Sequence, residues 1–367
     1  MRRCGLSMGL CGAIVLSVLG TLPVLAQRRS AVIWPEVHAD RTVTFRLRAP
    51  DAQRVALNAN FLPESKAMTK DADGLWTFTS VPLAPEIYEY DFTVDGLTLP
   101  DPANPFVKVW RRASRGMVQV PGDPPTFFQE QNVPHGTVHM QRYHSRSLDV
   151  TRGLYVYTPP GYETSPQTKY PVLYLLHGSG DNESAWTIVG RANVILDNAI
   201  ASGRARPMIV AMPYGHTPSA GPGNRQAFTA DLIGDVIPWV EKNYRVRADA
   251  TDRAIIGLSM GGGQSLRIGL GHPDLFAWVG AFSSSAPSDE ESGALLAKPA
   301  ELNEKLKLLW IGCGRKDFLF ERNQQFRRGL EAKGIEYTAH ITDGGHEWRL
   351  WRRYLNEILP LLFAAGR

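Results

Sequence analysis

Two hydrophobic rhythms run along the chain. From Ala31 to about Pro121, apolar and polar residues alternate in short runs, as in Thr42-Val43-Thr44-Phe45-Arg46-Leu47-Arg48, Leu75-Trp76-Thr77-Phe78-Thr79 and Tyr88-Glu89-Tyr90-Asp91-Phe92. A period of two sends successive side chains to opposite faces of a strand, one dry and one wet. Asp71-Ala72-Asp73-Gly74 and Val94-Asp95-Gly96 supply turns between the runs. The pattern predicts a small antiparallel β-sandwich over residues 31–121, with Trp76 in its core.

Residues 122–134, opening with Gly122-Asp123-Pro124-Pro125, read as a linker. Over 135–367 the rhythm changes. After a strand at 137–145, runs that are apolar throughout (170–176, 207–213, 254–256, 278–283, 306–313) are predicted as buried strands, with a last strand at 337–341. Helical periodicity marks 192–201, 228–244, 321–333 and 348–363 between and after them. Strands alternating with helices predict a mostly parallel sheet covered on both faces, hence an α/β domain.

Composition narrows the classes. A length of 367 residues leaves room for more than one domain, and 43% hydrophobic with 21% charged residues is ordinary for a globular chain. The net charge is only +4, and no basic block appears, so nucleic acid is not an expected partner. Arg2 and Arg3, the apolar stretch Leu6 to Leu25 and the small-residue end Val24-Leu25-Ala26 read as a secretory signal over 1–26. The expectation is a secreted or periplasmic protein with no stable membrane insertion after cleavage. Cys4 and Cys11 would leave with the signal, and Cys313, alone in an apolar strand, is expected as a buried structural thiol. His135, His139 and His144 lack accompanying acidic or thiol ligands, so neither metal nor organic cofactor is expected.

The chemistry concentrates at Ile255-Ile256-Gly257-Leu258-Ser259-Met260-Gly261-Gly262, a buried strand meeting Gly-x-Ser-x-Gly and a small-residue helix. This is the form of a nucleophile elbow, where glycines make room for a tight turn that lifts the serine hydroxyl clear of the backbone. An acid and a histidine must follow in that order. Asp317 comes after the 306–313 strand and His346 after the last one, both at strand carboxyl ends. His346 would take the proton of Ser259, and Asp317 would hold the imidazole tautomer. Asp343, Glu347 and Asp289 compete for the acid's place, as turn, helix-cap and solvated-loop residues respectively. The oxyanion donors are expected to be the N–H groups of Met260 and Ser179, with Gly180 as the near alternative.

Residues from about 133 to 363 resemble the esterase family of α/β-hydrolases that includes feruloyl esterases, enterochelin esterases, S-formylglutathione hydrolases and mycolyltransferases. The resemblance rests on Val133-Pro134-His135-Gly136, Val156-Tyr157-Thr158-Pro159-Pro160-Gly161-Tyr162, Leu176-His177-Gly178-Ser179-Gly180, the Ser259 elbow and Gly345-His346-Glu347-Trp348. It implies a Ser259–Asp317–His346 triad. Asp181 departs from it, since family members often continue the glycine run there. The alternating segment, with Asp73-Gly74-Leu75-Trp76 and Asp101-Pro102-Ala103-Asn104-Pro105, resembles early-set, immunoglobulin-like modules found ahead of glycan-active enzymes. Together these imply an exported esterase acting on a feruloyl ester of arabinoxylan. Trp186 and Tyr214 are then candidate aromatic walls for the phenolic ring, against core packing for the first and a surface loop for the second. Residues 286–303 form a polar insertion, a candidate lid or pocket rim. The rival readings are a siderophore esterase using Arg191 and Arg225, an acetyl-xylan esterase with a narrow pocket, and a glycan-binding protein with a retired hydrolase site.

Overall fold

The apolar runs become the middle of an eight-stranded sheet. In chain order its strands are β1 (Thr137–Ser145), β2 (Val150–Thr158), β3 (Val172–Leu176), β4 (Ile209–Pro213), β5 (Arg253–Leu258), β6 (Trp278–Phe282), β7 (Leu308–Gly314) and β8 (Thr338–Thr342). The structure, a computed structural model, describes residues 35–111, 114–219 and 222–364. The expected leader over 1–26 lies outside the described residues. The spatial order is β1-β2-β4-β3-β5-β6-β7-β8. β2 runs antiparallel to β1 and β4, and the other neighbours are parallel. Strands β3 to β7 are buried along their whole length, which is why their sequences do not alternate. Their two faces feed different clusters. Leu173, Leu175 and Ile256 pack with Trp186 and Leu355, whereas Val172, Tyr174 and Ile255 pack with Val240 and Leu266. Each fully buried aliphatic side chain contributes about 1.5–3 kcal/mol by leaving water. A charge at Ile256, which is 0% exposed, would therefore break the sheet at its centre.

The chain leaves β3 for β4 on one side and then returns to β5 on the other. That reversal opens a crevice beyond the carboxyl ends of β3 and β5, the place where open α/β sheets bind ligands. Leu176 pairs with Gly257 across it, so the loops after the two strands lie side by side.

Two helices differ from the sequence expectation. The segment expected as one helix over 228–244 is a helix at Pro222–Asp231, a π-turn at Leu232–Val236 and a second helix at Ile237–Asn243. Pro238 has no N–H to offer the Gly234 carbonyl, which accepts instead from the Arg146 guanidinium at 3.3 Å. The last helix runs Trp348–Ile358 and tightens to a 3-10 turn at Leu359–Leu361, where Pro360 interrupts the ladder.

Residues ahead of the α/β sheet form two antiparallel sheets. One has the order Glu36–Val37, Val43–Arg48, Leu75–Thr79, Thr69–Lys70. The other runs Lys66–Ala67, Val55–Ala59, Glu86–Val94, Arg115–Val120, Val107–Lys108, with Leu97–Leu99 on Glu86–Val94. Their facing residues, including Phe45, Leu57, Trp76, Tyr90 and Phe92, make one cluster. Trp76 is 6% exposed and donates its indole N–H to the Ala49 carbonyl at 2.9 Å, so it is core. Ile87 and Met117 of the second sheet, with Phe128 of the connecting segment, join the cluster under the α/β sheet. Glu86 forms a buried ion pair with Arg352 of the last helix, which also donates to the Val189 carbonyl at 2.8 Å.

Candidate active site

The site begins at a strained residue. Ser259, between β5 and the helix Met260–Gly271, has φ 52° and ψ −114°. A β-carbon in that region costs on the order of 1–3 kcal/mol and persists only where surroundings impose it. Here the Ser259 N–H donates to the Phe282 carbonyl at 2.8 Å, and its carbonyl accepts from Ser285 and Gly263 at 2.9 and 3.0 Å. The turn is tight enough that a Cβ on Gly261 would lie 2.5 Å from the His177 carbonyl oxygen.

The histidine and acid arrive from the neighbouring strand ends. His346 follows β8, and its Nε2 lies 3.0 Å from Ser259 Oγ. Its Nδ1 lies 3.1 and 3.0 Å from the two carboxylate oxygens of Asp317, which follows β7. Burial opposes ionisation of Asp317, but hydrogen bonds, led by that from His346 and including the Leu319 N–H, outweigh it and hold the carboxyl below its ordinary value. An anionic Asp317 fixes the proton on Nδ1 and leaves the Nε2 lone pair to accept from the Ser259 hydroxyl. Phe318 and Trp351 bracket the imidazole with ring centroids at 4.5 and 4.9 Å. The competing acids make other contacts. Asp343 is a surface residue beside Arg315, Glu347 pairs with Arg349, and Asp289 accepts from Gln325.

Peptide geometry places the two N–H groups expected as oxyanion donors. Met260 is the first residue of its helix, so its N–H has no acceptor within the helix. In the other loop, the Gly178 carbonyl accepts from His177 Nδ1 at 2.8 Å and from the Asp181 N–H at 3.1 Å. C=O and N–H of a trans peptide point in opposite directions, so the Ser179 N–H is turned away from those donors. His177 Nε2 accepts from the Gly215 N–H at 2.8 Å, and burial lowers the imidazole's pKa to about 3, so it stays neutral and keeps its Nδ1–H on Gly178.

A cleft of about 650 Å³ opens over Ser259 and His346. The loop Gly178–Asp181 lines it together with Tyr88 and Lys108 of the N-terminal sheets and Phe61 and Trp110 just beyond their strands. Of these four, only Tyr88 lies in an alternating run of the sequence; Phe61, Lys108 and Trp110 carried no signal. Asp181 lies at the cleft floor, 4% exposed, and burial pushes its carboxyl up to about 6, with Lys108 opposing and Glu89 adding to the rise.

Trp186 and Tyr214 do not line this cleft. Trp186 is 1% exposed, donates to the Leu176 carbonyl at 3.0 Å and packs edge-on against Trp348 and Phe282. The expected aromatic wall is corrected at this residue: it is core beneath the loop. Tyr214 stacks on His177 with centroids 5.7 Å apart, behind the loop. The insertion after residue 286 contains the helix Asp289–Leu295, capped by Ser288 and Glu291, and Glu291 binds Arg267 of the helix Met260–Gly271. Among the described residues it contributes nothing to the cleft over Ser259. His135 and His139 bond separately to Asp197 and Thr158, and His144 lies 3.6 Å from Asp149. Cys313 is buried, and burial pushes its thiol up to about 12.

A mixed sheet in this strand order, with serine, histidine and acid joined in a line at its carboxyl edge, defines an α/β-hydrolase. A family model described as "Putative esterase" matches residues 145–362, and the chain belongs to that family. Among curated relatives, an endo-1,4-beta-xylanase/feruloyl esterase of Xylanibacter ruminicola is 32% identical over 342 residues, 90% of this chain and 46% of the relative. The chain thus spans about half the length of that relative. A solved ferulic acid esterase is 29% identical with a TM-score of 0.55, covering 64% of this chain and 100% of that one. The enterobactin esterase of Shigella flexneri aligns over 88% of this chain and 93% of its own with a TM-score of 0.62, and at 18% identity that likeness speaks for the fold. No helix among the described residues is long and apolar enough to cross a membrane.

Proposed function

We propose that this chain is an exported serine carboxylesterase that cleaves a feruloyl ester of arabinoxylan through an acyl-enzyme on Ser259. The observation that carries the reading is the line from Ser259 Oγ through the His346 ring to Asp317, with 3.0 Å at each end. Ser259 Oγ attacks the ester carbonyl while His346 Nε2 takes its proton. The oxyanion meets the N–H groups of Ser179 and Met260. His346 then returns the proton to the leaving alcohol, and water repeats the sequence to free the acid. The printed names of the xylanase/feruloyl esterase and ferulic acid esterase relatives support the acyl group and the polysaccharide. Export rests on the basic and apolar start of the sequence, and the two N-terminal sheets fit an early-set β-sandwich module.

The siderophore reading loses its named cations: Arg191 pairs with Glu130 at 2.8 Å and Arg225 with Glu291 at 3.3 Å. Side-by-side rates on methyl ferulate, acetylated xylan and ferric enterobactin test the assignment. Preference for methyl ferulate is expected; preference for either of the others overturns it.

A further inference from the structure

The Gly178–Asp181 loop is held from outside its own domain. The Arg111 N–H, just after the Val107–Lys108 strand, donates to the Gly180 carbonyl at 3.0 Å. That carbonyl belongs to the peptide whose N–H, on Asp181, donates to the Gly178 carbonyl at 3.1 Å. The Gly178 carbonyl in turn belongs to the peptide whose N–H is that of Ser179. Three peptide groups therefore stand head to tail: Arg111, Gly180–Asp181, Gly178–Ser179. Aligned hydrogen bonds polarise one another, so a donor at the outer end strengthens the donor at the inner end. The indole of Trp110 lies directly over Gly180, close enough that any Cβ on that glycine would meet it. Lys108 sits over the Trp110 ring at 4.8 Å and pairs with Glu89 at 3.0 Å, which holds the cation against the indole. The Arg111 guanidinium reaches His216 at 3.1 Å, and the His216 ring stands 5.6 Å from that of His177, the residue bonded to Gly178.

We propose that Trp110 and Arg111 are positioning residues for the oxyanion hole: the N-terminal module clamps the Gly178–Asp181 turn and aims the Ser179 N–H at the reacting oxygen. The module is then part of the catalytic apparatus without touching the substrate's reacting atoms. The inference rests on the serine-esterase reading of the same site. It goes beyond that reading in assigning a catalytic purpose to a segment that lies outside the α/β sheet.

Deacylation isolates the effect, because the alcohol has left the cleft by then and the acetyl group is small. With full-length protein and p-nitrophenyl acetate, burst and steady-state phases give the acylation and deacylation rates separately. Trp110→Ala is expected to lower both by about tenfold or more, a fraction of the 10²–10³ that follows outright loss of an oxyanion donor. Trp110→Phe, which keeps a flat ring over Gly180, should recover most of the loss. Arg111→Pro, which deletes the outer N–H, should lower deacylation likewise and carries the test if Trp110→Ala does not fold. Unchanged deacylation in a folded variant, or a loss confined to KM, overturns the clamp. A wild-type chain that releases no p-nitrophenol refutes the esterase reading itself, and is told apart from a failed clamp by the missing wild-type turnover.

Discussion

Replacing Asp317 by Asn removes one charge and almost no volume, and the site fixes how the new amide must sit. Asp317 is 5% exposed, and its Oδ1 accepts the Leu319 N–H at 2.8 Å. Only the amide oxygen can take that place, because an NH₂ group there would face a donor. The NH₂ then occupies the Oδ2 position, 3.0 Å from His346 Nδ1, and donates to it. Nδ1 becomes the acceptor, the proton moves to Nε2, and Nε2 can no longer accept from Ser259. The ring keeps its place but presents the wrong tautomer. Such a change costs about 10⁴ in kcat, which corresponds to roughly 5 kcal/mol of transition-state stabilisation. The assay is steady-state hydrolysis of p-nitrophenyl acetate at neutral pH, with circular dichroism to verify folding. A folded Asp317→Asn chain within tenfold of wild type would refute the tautomer argument.

Two further predictions concern what holds the site in place. Glu86→Ala strands the Arg352 guanidinium, which is 1% exposed, so stability should fall by about 3–5 kcal/mol in denaturant melts; a change under 1 kcal/mol would mean that the pair is not a clamp between the N-terminal sheets and the last helix. Asp181, whose carboxyl is pushed up to about 6 from an ordinary 3.8, binds more protons folded than unfolded between those values. Stability should therefore fall as pH rises through that window, by up to about 3 kcal/mol. Asp181→Asn should flatten that slope, and an identical slope in the variant would remove Asp181 as its source.

The sheet and the Ser259 elbow were legible because their sequence signals are local. A fully buried strand such as Val172–Leu176 must be apolar at every position, and the elbow needs glycine at both 257 and 261 for steric reasons. Asp317 and His346 were legible one step further out, since strand ends in this topology converge on one edge. Trp186 was misread because an aromatic after a glycine loop fits either a wall or a core. What decides it is the indole N–H on the Leu176 carbonyl, a contact that no spacing reveals. The break at Leu232–Val236 had a visible cause in Pro238, overruled by the apolar periodicity around it. Trp110 and Arg111 gave no such signal, because their place depends on how two chain segments some seventy residues apart meet.

The central claim is that one hydroxyl, that of Ser259, is raised to nucleophile by His346. It is tested most directly by treating the protein with a fluorophosphonate and mapping the adduct by mass spectrometry. A single phosphonyl group on Ser259 is expected, absent from Ser259→Ala and formed far more slowly in His346→Ala, with ester hydrolysis lost in step. Labelling at another residue, or hydrolysis retained by Ser259→Ala, would contradict the account.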